Sequence, residues 1–247
     1  MDNLLEQGHI AVDADALFRA LGYPDREHVS APVQEICLDQ LGRLDQFLRP
    51  WAGVHEVRVE EVTADTVRLD CGRTLSGRRL ATILRRATSL QICLATVGAE
   101  VMEEIKHLVA EGAMLEALAL DAGASAAVTR VMAAVRERVC NNAQARGFGT
   151  TIRYGPGYTG WQLEDTAVLF SYLGRHRLPV RLNEQFMMLP AKSLLNVIGL
   201  VPGGTAQAPE VVPCRMCDLE HCSVRQLPHD RARHPAEPGE RNANNEA

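Results

Sequence analysis

Apolar residues recur at helical spacing in two stretches near the start of the chain. Asp13 to Leu21 reads as a first helix, with Gly22 in the position that ends helices and Pro24 blocking continuation. Val33 to Leu48 reads as a second, with Val33, Ile36, Cys37, Leu41, Leu44 and Phe47 at helical spacing. From Val54 to Val62 the period shifts towards two, with only rough alternation. Thr66 to Asp70 follows as a partner strand, so the pair predicts a hairpin. Leu80 to Thr88 predicts a short helix, and Leu90 to Val97 a buried, mostly apolar strand ending at Gly98. A helical region then runs from about Ala99 to Ala145, with Leu115, Leu118, Val128, Met132, Val135 and Val139 facing the core. Thr150 to Arg153 predicts a strand leading into the turn Gly155-Pro156-Gly157. Leu163 to Leu173 reads as a helix, and Phe186 to Val201 as two strands or a strand and a loop.

This pattern predicts one α+β domain over residues 1–205, long enough to bury a substantial core. Residues 206–227 form a separate cysteine-containing segment. The tail 228–247, rich in Pro, Asn, Arg and Glu with few large apolar groups, is expected to be disordered. The net charge of -5 argues against nucleic acid or an anionic membrane as partner. The basic pairs Arg78-Arg79 and Arg85-Arg86 are local exceptions, read either as solvated faces or as docking spots. The N-terminal residues lack the pattern of a signal peptide, and the apolar stretch from Leu115 to Val135 is interrupted by Glu116, Asp121 and Arg130. The expectation is therefore a cytoplasmic protein with mostly reduced cysteines.

The segment with the most chemistry is Arg153-Tyr154-Gly155-Pro156-Gly157-Tyr158. Proline fixes one turn dihedral, and the flanking glycines allow backbone angles or close approaches that a side chain forbids. Such a turn either serves the fold alone or presents its backbone to a ligand. Arginine at the entrance can grip a carboxylate with two parallel hydrogen bonds. Tyrosine at the exit adds an aromatic face and a hydroxyl. The small-residue run Ala122 to Ala127 can similarly serve tight packing or admit a ligand to a helix.

Ile152 to Tyr158 resembles the Arg-x-x-x-Gly-Tyr signature of the activation domain of cobalamin-dependent methionine synthase. Met187-Met188-Leu189-Pro190-Ala191-Lys192-Ser193 resembles the Met-x-Pro-x-x-Ser segment that follows it. Leu118 to Ala127, Leu94 to Gly98 and Leu21-Gly22-Tyr23 are similar to segments of stand-alone relatives, so the resemblance covers roughly residues 10–200. It implies a bent, mainly antiparallel sheet flanked by helices. It also implies that S-adenosylmethionine is held by Arg153, Tyr154, Gly155, Pro156, Gly157, Tyr158, Lys192 and Ser193. Arg153 would take the methionyl carboxylate, and Tyr158, the candidate catalytic residue, would lie near the reactive end. Thr129 stands where the family often carries a glutamate. The function implied is reductive activation of a partner, either a corrinoid-binding protein or a cobalamin-dependent methyltransferase such as methionine synthase. The chain has no Asp-x-His-x-x-Gly motif, so cobalamin would arrive on that partner, and a flavodoxin-like or ferredoxin-like protein would donate the electron.

A second constellation is Cys214-Arg-Met-Cys217-Asp-Leu-Glu-His-Cys222. Cysteines two residues apart fold readily around a metal, and Cys222 can join them, with His221, His229 or Cys71 as a fourth ligand. An iron–sulfur cluster, zinc, a thiol redox pair and unligated thiols are all open readings. The alternatives to an S-adenosylmethionine-binding accessory protein are thus an iron–sulfur or zinc-containing activator of a corrinoid protein, and a non-catalytic docking module. Cys37, Cys93 and Cys140 lie in apolar periodic segments and read as core residues.

Overall fold

The structure, a computed structural model, describes residues 10–23, 25–174, 178–204 and 208. Six strands form one antiparallel sheet in the order β3-β2-β1-β4-β8-β5. They are β1 (Trp51–Val62), β2 (Thr66–Leu69), β3 (Thr74–Ser76), β4 (Ser89–Thr96), β5 (Phe148–Thr150) and β8 (Ser193–Pro202). A two-stranded ribbon pairs β6 (Arg181–Leu182) with β7 (Met188–Leu189). The helices are α1 (Ala14–Ala20), α2 (Ala31–Phe47), α3 (Arg78–Leu84), α4 (Glu100–Ala110), α5 (Met114–Ala145) and α6 (Asp165–Leu173). This is the α+β architecture expected from the sequence.

The rough alternation in β1 has a structural cause. Residues 51–58 pair with β4, whereas Val59 to Val62 pair with β2, and the register slips between Val59 and Glu61. An extra residue at such a bulge turns the strand and increases its twist. One strand therefore serves two partners with a bend between them, and no single period fits its whole length.

The sheet buries both faces. Leu90, Ile92 and Leu94 of β4 join Leu195 and Val197 of β8 in a core closed by α3 and α6. The alternate residues Cys93, Ala95 and Ile198 face α5 and α4. The expected helical region breaks at Glu111–Ala113, where Gly112 takes a positive φ of 81° and ends α4. Within α5 the buried stripe runs through Ala117, Leu120, Ala124, Val128, Val131, Val135 and Val139. Val128, Met132, Val135 and Val139 are buried as expected. Leu118 is not: it falls off the stripe and is 56% exposed, while Leu115 is only half-buried. α5 is long and apolar enough by composition to cross a membrane, yet more than half of its most apolar window is buried here. Its small residues serve close packing. A β-carbon on Gly123 would stand 3.2 Å from Leu44 of α2, and Ala119 and Ala122 cover Leu17 and Phe18 of α1.

One polar staple ties the far end of α5 to the sheet. Arg146 donates to both carboxylate oxygens of Glu56, at 2.6 and 3.0 Å, and lies over the Phe148 ring. The guanidinium holds the Glu56 carboxyl below its ordinary value, helped by Ser89 and Gln91. A lowered carboxyl contributes stability above its unfolded pKa and loses it as the pH falls through the folded value. Both side chains are partly exposed, so Arg146→Ala should cost about 1 kcal/mol or less at neutral pH. The cost should disappear in acid, which chemical denaturation at two pH values will show.

Candidate functional site

After β5 the chain continues beside β8 as an irregular edge. Thr151 N–H donates to the Gly199 carbonyl, and the Thr151 hydroxyl oxygen accepts from Gly199 N–H. Tyr154 then exchanges two backbone hydrogen bonds with Val197, at 3.0 and 2.7 Å. The next residue comes so close to β8 that it has to be glycine. A β-carbon on Gly155 would lie 2.7 Å from the Leu195 carbonyl oxygen and 2.9 Å from Asn196 Oδ1. Pro156 and Gly157 follow as the centre of a type II turn, with Gly157 at φ 82° and Tyr158 N–H returning to the Gly155 carbonyl. Trp161 closes a further turn: its carbonyl accepts from Gly157 N–H, and its N–H donates to the Tyr158 carbonyl.

The aromatic groups of this turn are packed on one another. Tyr154 is 1% exposed, its ring stacked on Trp161 at 5.9 Å and meeting Tyr158 edge-on at 5.6 Å. Its hydroxyl donates to the Thr159 carbonyl. Tyr154 thus anchors the turn in the core, while Tyr158 is half-buried beside it. Behind them sits Asp165, which reads in the sequence as a helix-start or a solvated charge. It does begin α6, but it is only 7% exposed and accepts from Ser76 N–H at 2.6 Å and Trp161 Nε1–H at 2.8 Å. Trp161 is a near neighbour in sequence, but Ser76 comes from β3, 89 residues away, so no local pattern reveals the burial.

Arg153 and Gly155 alternate with Tyr154 and so lie on the α5 side of the sheet. Arg153 is half-buried. Burial and the neighbouring Cys140 push the Cys93 thiol up to about 12, and the Arg153 charge opposes that rise. Cys93 and Cys140 are buried core residues, as is Cys37. Asn196, the register partner of Cys93, is 1% exposed, and its Oδ1 has no hydrogen-bond partner among the described residues. Sequence reasoning overlooks Asn196; the signal was a single amide inside the apolar run Leu194 to Val201.

The Met187–Ser193 segment divides between two neighbourhoods. Pro190 and Ala191 line a cavity of about 480 Å³ with Met102, Leu178, Val180 and Leu189. Lys192 turns to α5, where its ammonium meets Asp121 at 2.7 Å and donates to the Ser125 hydroxyl at 2.8 Å. With only 14% of its side chain exposed, Lys192 locks the start of β8 onto the small-residue helix. The Ser193 hydroxyl lies within hydrogen-bonding distance of both the Pro190 carbonyl and the Thr96 hydroxyl, so the end of β4 belongs to the same network. Thr129 lies one turn beyond Ser125 and is exposed, with its hydroxyl donating to the Ser125 carbonyl. The segments 94–98, 118–129, 153–158 and 187–193, far apart in sequence, therefore converge along β8.

The metal candidates Cys214, Cys217 and Cys222, with His221 and His229, lie outside the described residues. Cys71 is exposed in a turn with φ 60°. Among the described residues, no group of histidine, cysteine and carboxylate side chains could hold a metal ion.

No family model matches the chain, and no curated protein matches it. Among solved structures it is similar to one described as the MetH reactivation domain bound to AdoHcy, with a TM-score of 0.58 and 16% sequence identity. The match covers 78% of this chain and 75% of that one. At this identity the likeness is one of fold, and the fold is methionine synthase activation domain-like: an antiparallel sheet flanked by helices.

Proposed function

We propose that the chain binds S-adenosylmethionine at the Arg153–Tyr158 turn and serves the reductive activation of a partner corrinoid protein or cobalamin-dependent methyltransferase. The observation that carries this reading is the convergence of four motif segments along β8, in a fold like that of a reactivation domain bound to AdoHcy. The residues suit such a ligand. Arg153 can take the methionyl carboxylate through two parallel hydrogen bonds, on the side of the sheet where the Asn196 amide oxygen has no partner among the described residues. Gly155 to Gly157 let backbone approach where a side chain would obstruct. Tyr158 borders the reactive end, and Lys192 and Ser193 fix the β8 entrance against α5 and β4. Bound there, S-adenosylmethionine would supply a methyl group to the partner's corrinoid once a flavodoxin-like or ferredoxin-like donor has reduced it, leaving S-adenosylhomocysteine. The work of this chain is positioning, with the methyl carbon held in line in a water-poor cleft.

Equilibrium dialysis with labelled S-adenosylmethionine tests the reading directly. Saturable binding at millimolar ligand or below is expected, and Arg153→Ala should weaken it by about 2–3 kcal/mol, roughly 30- to 150-fold. Absence of binding to the wild-type chain, or an Arg153→Ala variant that binds equally well, would return the turn to a purely structural role.

A further inference from the structure

We propose that the exposed side of α3 and the turn after it form a docking site for an acidic protein surface. Between Asp70 and Glu100 the chain carries five arginines, at 73, 78, 79, 85 and 86, and no carboxylate, in a protein whose net charge is -5. The structure gathers three of them on one side of α3 and the turn after it. Arg78, Thr82, Arg85 and Arg86 are all exposed, at positions i, i+4, i+7 and i+8, opposite the buried Leu80, Ala81 and Leu84. Arg58 of β1, whose register partner Ser89 lies just past the turn, is exposed at the same edge.

Arg78, Arg85 and Arg86 combine clustering with a lack of internal compensation among the described residues. Elsewhere Arg43, Arg49, Arg68 and Arg146 are each paired with a glutamate. Arg78, Arg85 and Arg86 have no ion-pair or hydrogen-bond partner for their guanidinium groups among the described residues. Clustered like charges repel one another, and an approaching group of opposite charge relieves that repulsion. Beside them lies a crevice of about 280 Å³, lined by Thr82, Arg85, Arg86, Gly149 and Gly204 among others. It offers carboxylate side chains a seat between two guanidiniums, whose planar forks match carboxylate geometry.

The same features select against other anions. The crevice has no aromatic ring on which a nucleic-acid base could stack. An anionic membrane would favour large apolar side chains on the face, and its exposed positions hold only arginine and threonine. α3 packs on one face of the sheet, and Arg153 lies towards α5 on the other. The inference therefore stands apart from the reading of the Arg153–Tyr158 turn.

The test is fluorescence anisotropy of a labelled polyglutamate peptide on the full chain, at low ionic strength and again at roughly 0.3 M salt, where exposed charge interactions are screened. Wild-type protein should bind, weakening with salt, and R85E/R86E should lose at least about tenfold in affinity. R130E/R181E, which changes the net charge equally on exposed positions elsewhere, should stay within about twofold of wild type. If the reversal variant folds poorly by circular dichroism, R85Q/R86Q takes its place with a loss of about fivefold expected. No binding by wild type, equal losses in both double variants, or tighter binding of single-stranded DNA or phosphatidylserine vesicles than of polyglutamate would overturn the proposal. S-adenosylmethionine binding by R85E/R86E should match wild type. If it is absent from both proteins while polyglutamate still binds, the ligand reading has failed and the docking face stands.

Discussion

Gly155→Ala is expected to abolish measurable S-adenosylmethionine binding and to lower stability by about 3 kcal/mol. The added β-carbon would sit 2.7 Å from a backbone carbonyl of β8, a contact that real β-carbons do not make. β8 is held in place by its full-length pairing with β4, where Leu94 lies opposite Leu195. The 153–158 segment would have to lift instead, breaking the paired hydrogen bonds between Tyr154 and Val197 and pulling Tyr154 from its stack on Trp161. Gly157→Ala makes the comparison informative. Its φ of 82° imposes strain of about 1 kcal/mol, but the nearest obstacle is a flexible Leu163 methyl at 3.3 Å. Binding by the Gly157 variant should therefore survive at reduced affinity. Thermal melts and equilibrium dialysis on the two variants separate close approach from turn strain. If alanine at 155 binds like wild type, the close approach of this segment to β8 has no part in holding the ligand.

Local signals made much of the fold legible. The stripe Val33 to Phe47, the β1–β2 hairpin, the apolar run of β4 and the Pro156-Gly157 turn each carry their conformation in a few adjacent residues. The errors arise where the decision is made at a distance. Leu118 sits at plausible helical spacing, yet α1, α2 and the sheet together fix the phase of α5 and leave it outside. β3 has only three residues, too short for a period, and exists because β2 offers an edge to pair with. Gly112, which divides α4 from α5, looks like a tolerated helical glycine until its positive φ is seen. At the site, Arg153, Gly155 and Lys192 are visible as residue types in a motif. Asn196 and Asp165 are not, because what marks them is burial, imposed by elements tens of residues away such as the β3 strand that brings Ser76 N–H to Asp165. Lys192 is an intermediate case: the motif named it, while only the fold shows its ammonium engaged with Asp121 and Ser125.

Asp165→Ala should cost about 4 kcal/mol and lower the melting temperature by roughly 10 °C. The alanine leaves the Ser76 N–H and the Trp161 indole N–H without their acceptor in a region closed to water, and each such loss is worth about 1–3 kcal/mol. The damage reaches the turn, since Trp161 carries both the Tyr154 stack and the two backbone bonds that close residues 157–161. Ligand affinity should fall with stability. The pH dependence identifies the group. Burial, outweighing the two hydrogen bonds, raises the Asp165 carboxyl above its ordinary value of 3.8. The folded protein then holds that proton more tightly than the unfolded chain does. The Asp165 contribution to stability is thus greatest in acid, declines as the pH rises from 3.8 through the raised folded value, and levels off above it. Asp165→Asn keeps an acceptor oxygen and removes the titration, so it should lose less stability than alanine and lack that decline. Melts of the three proteins across the acidic range will decide it: if alanine melts with wild type, the Trp161 side of the turn is held by something other than this carboxylate.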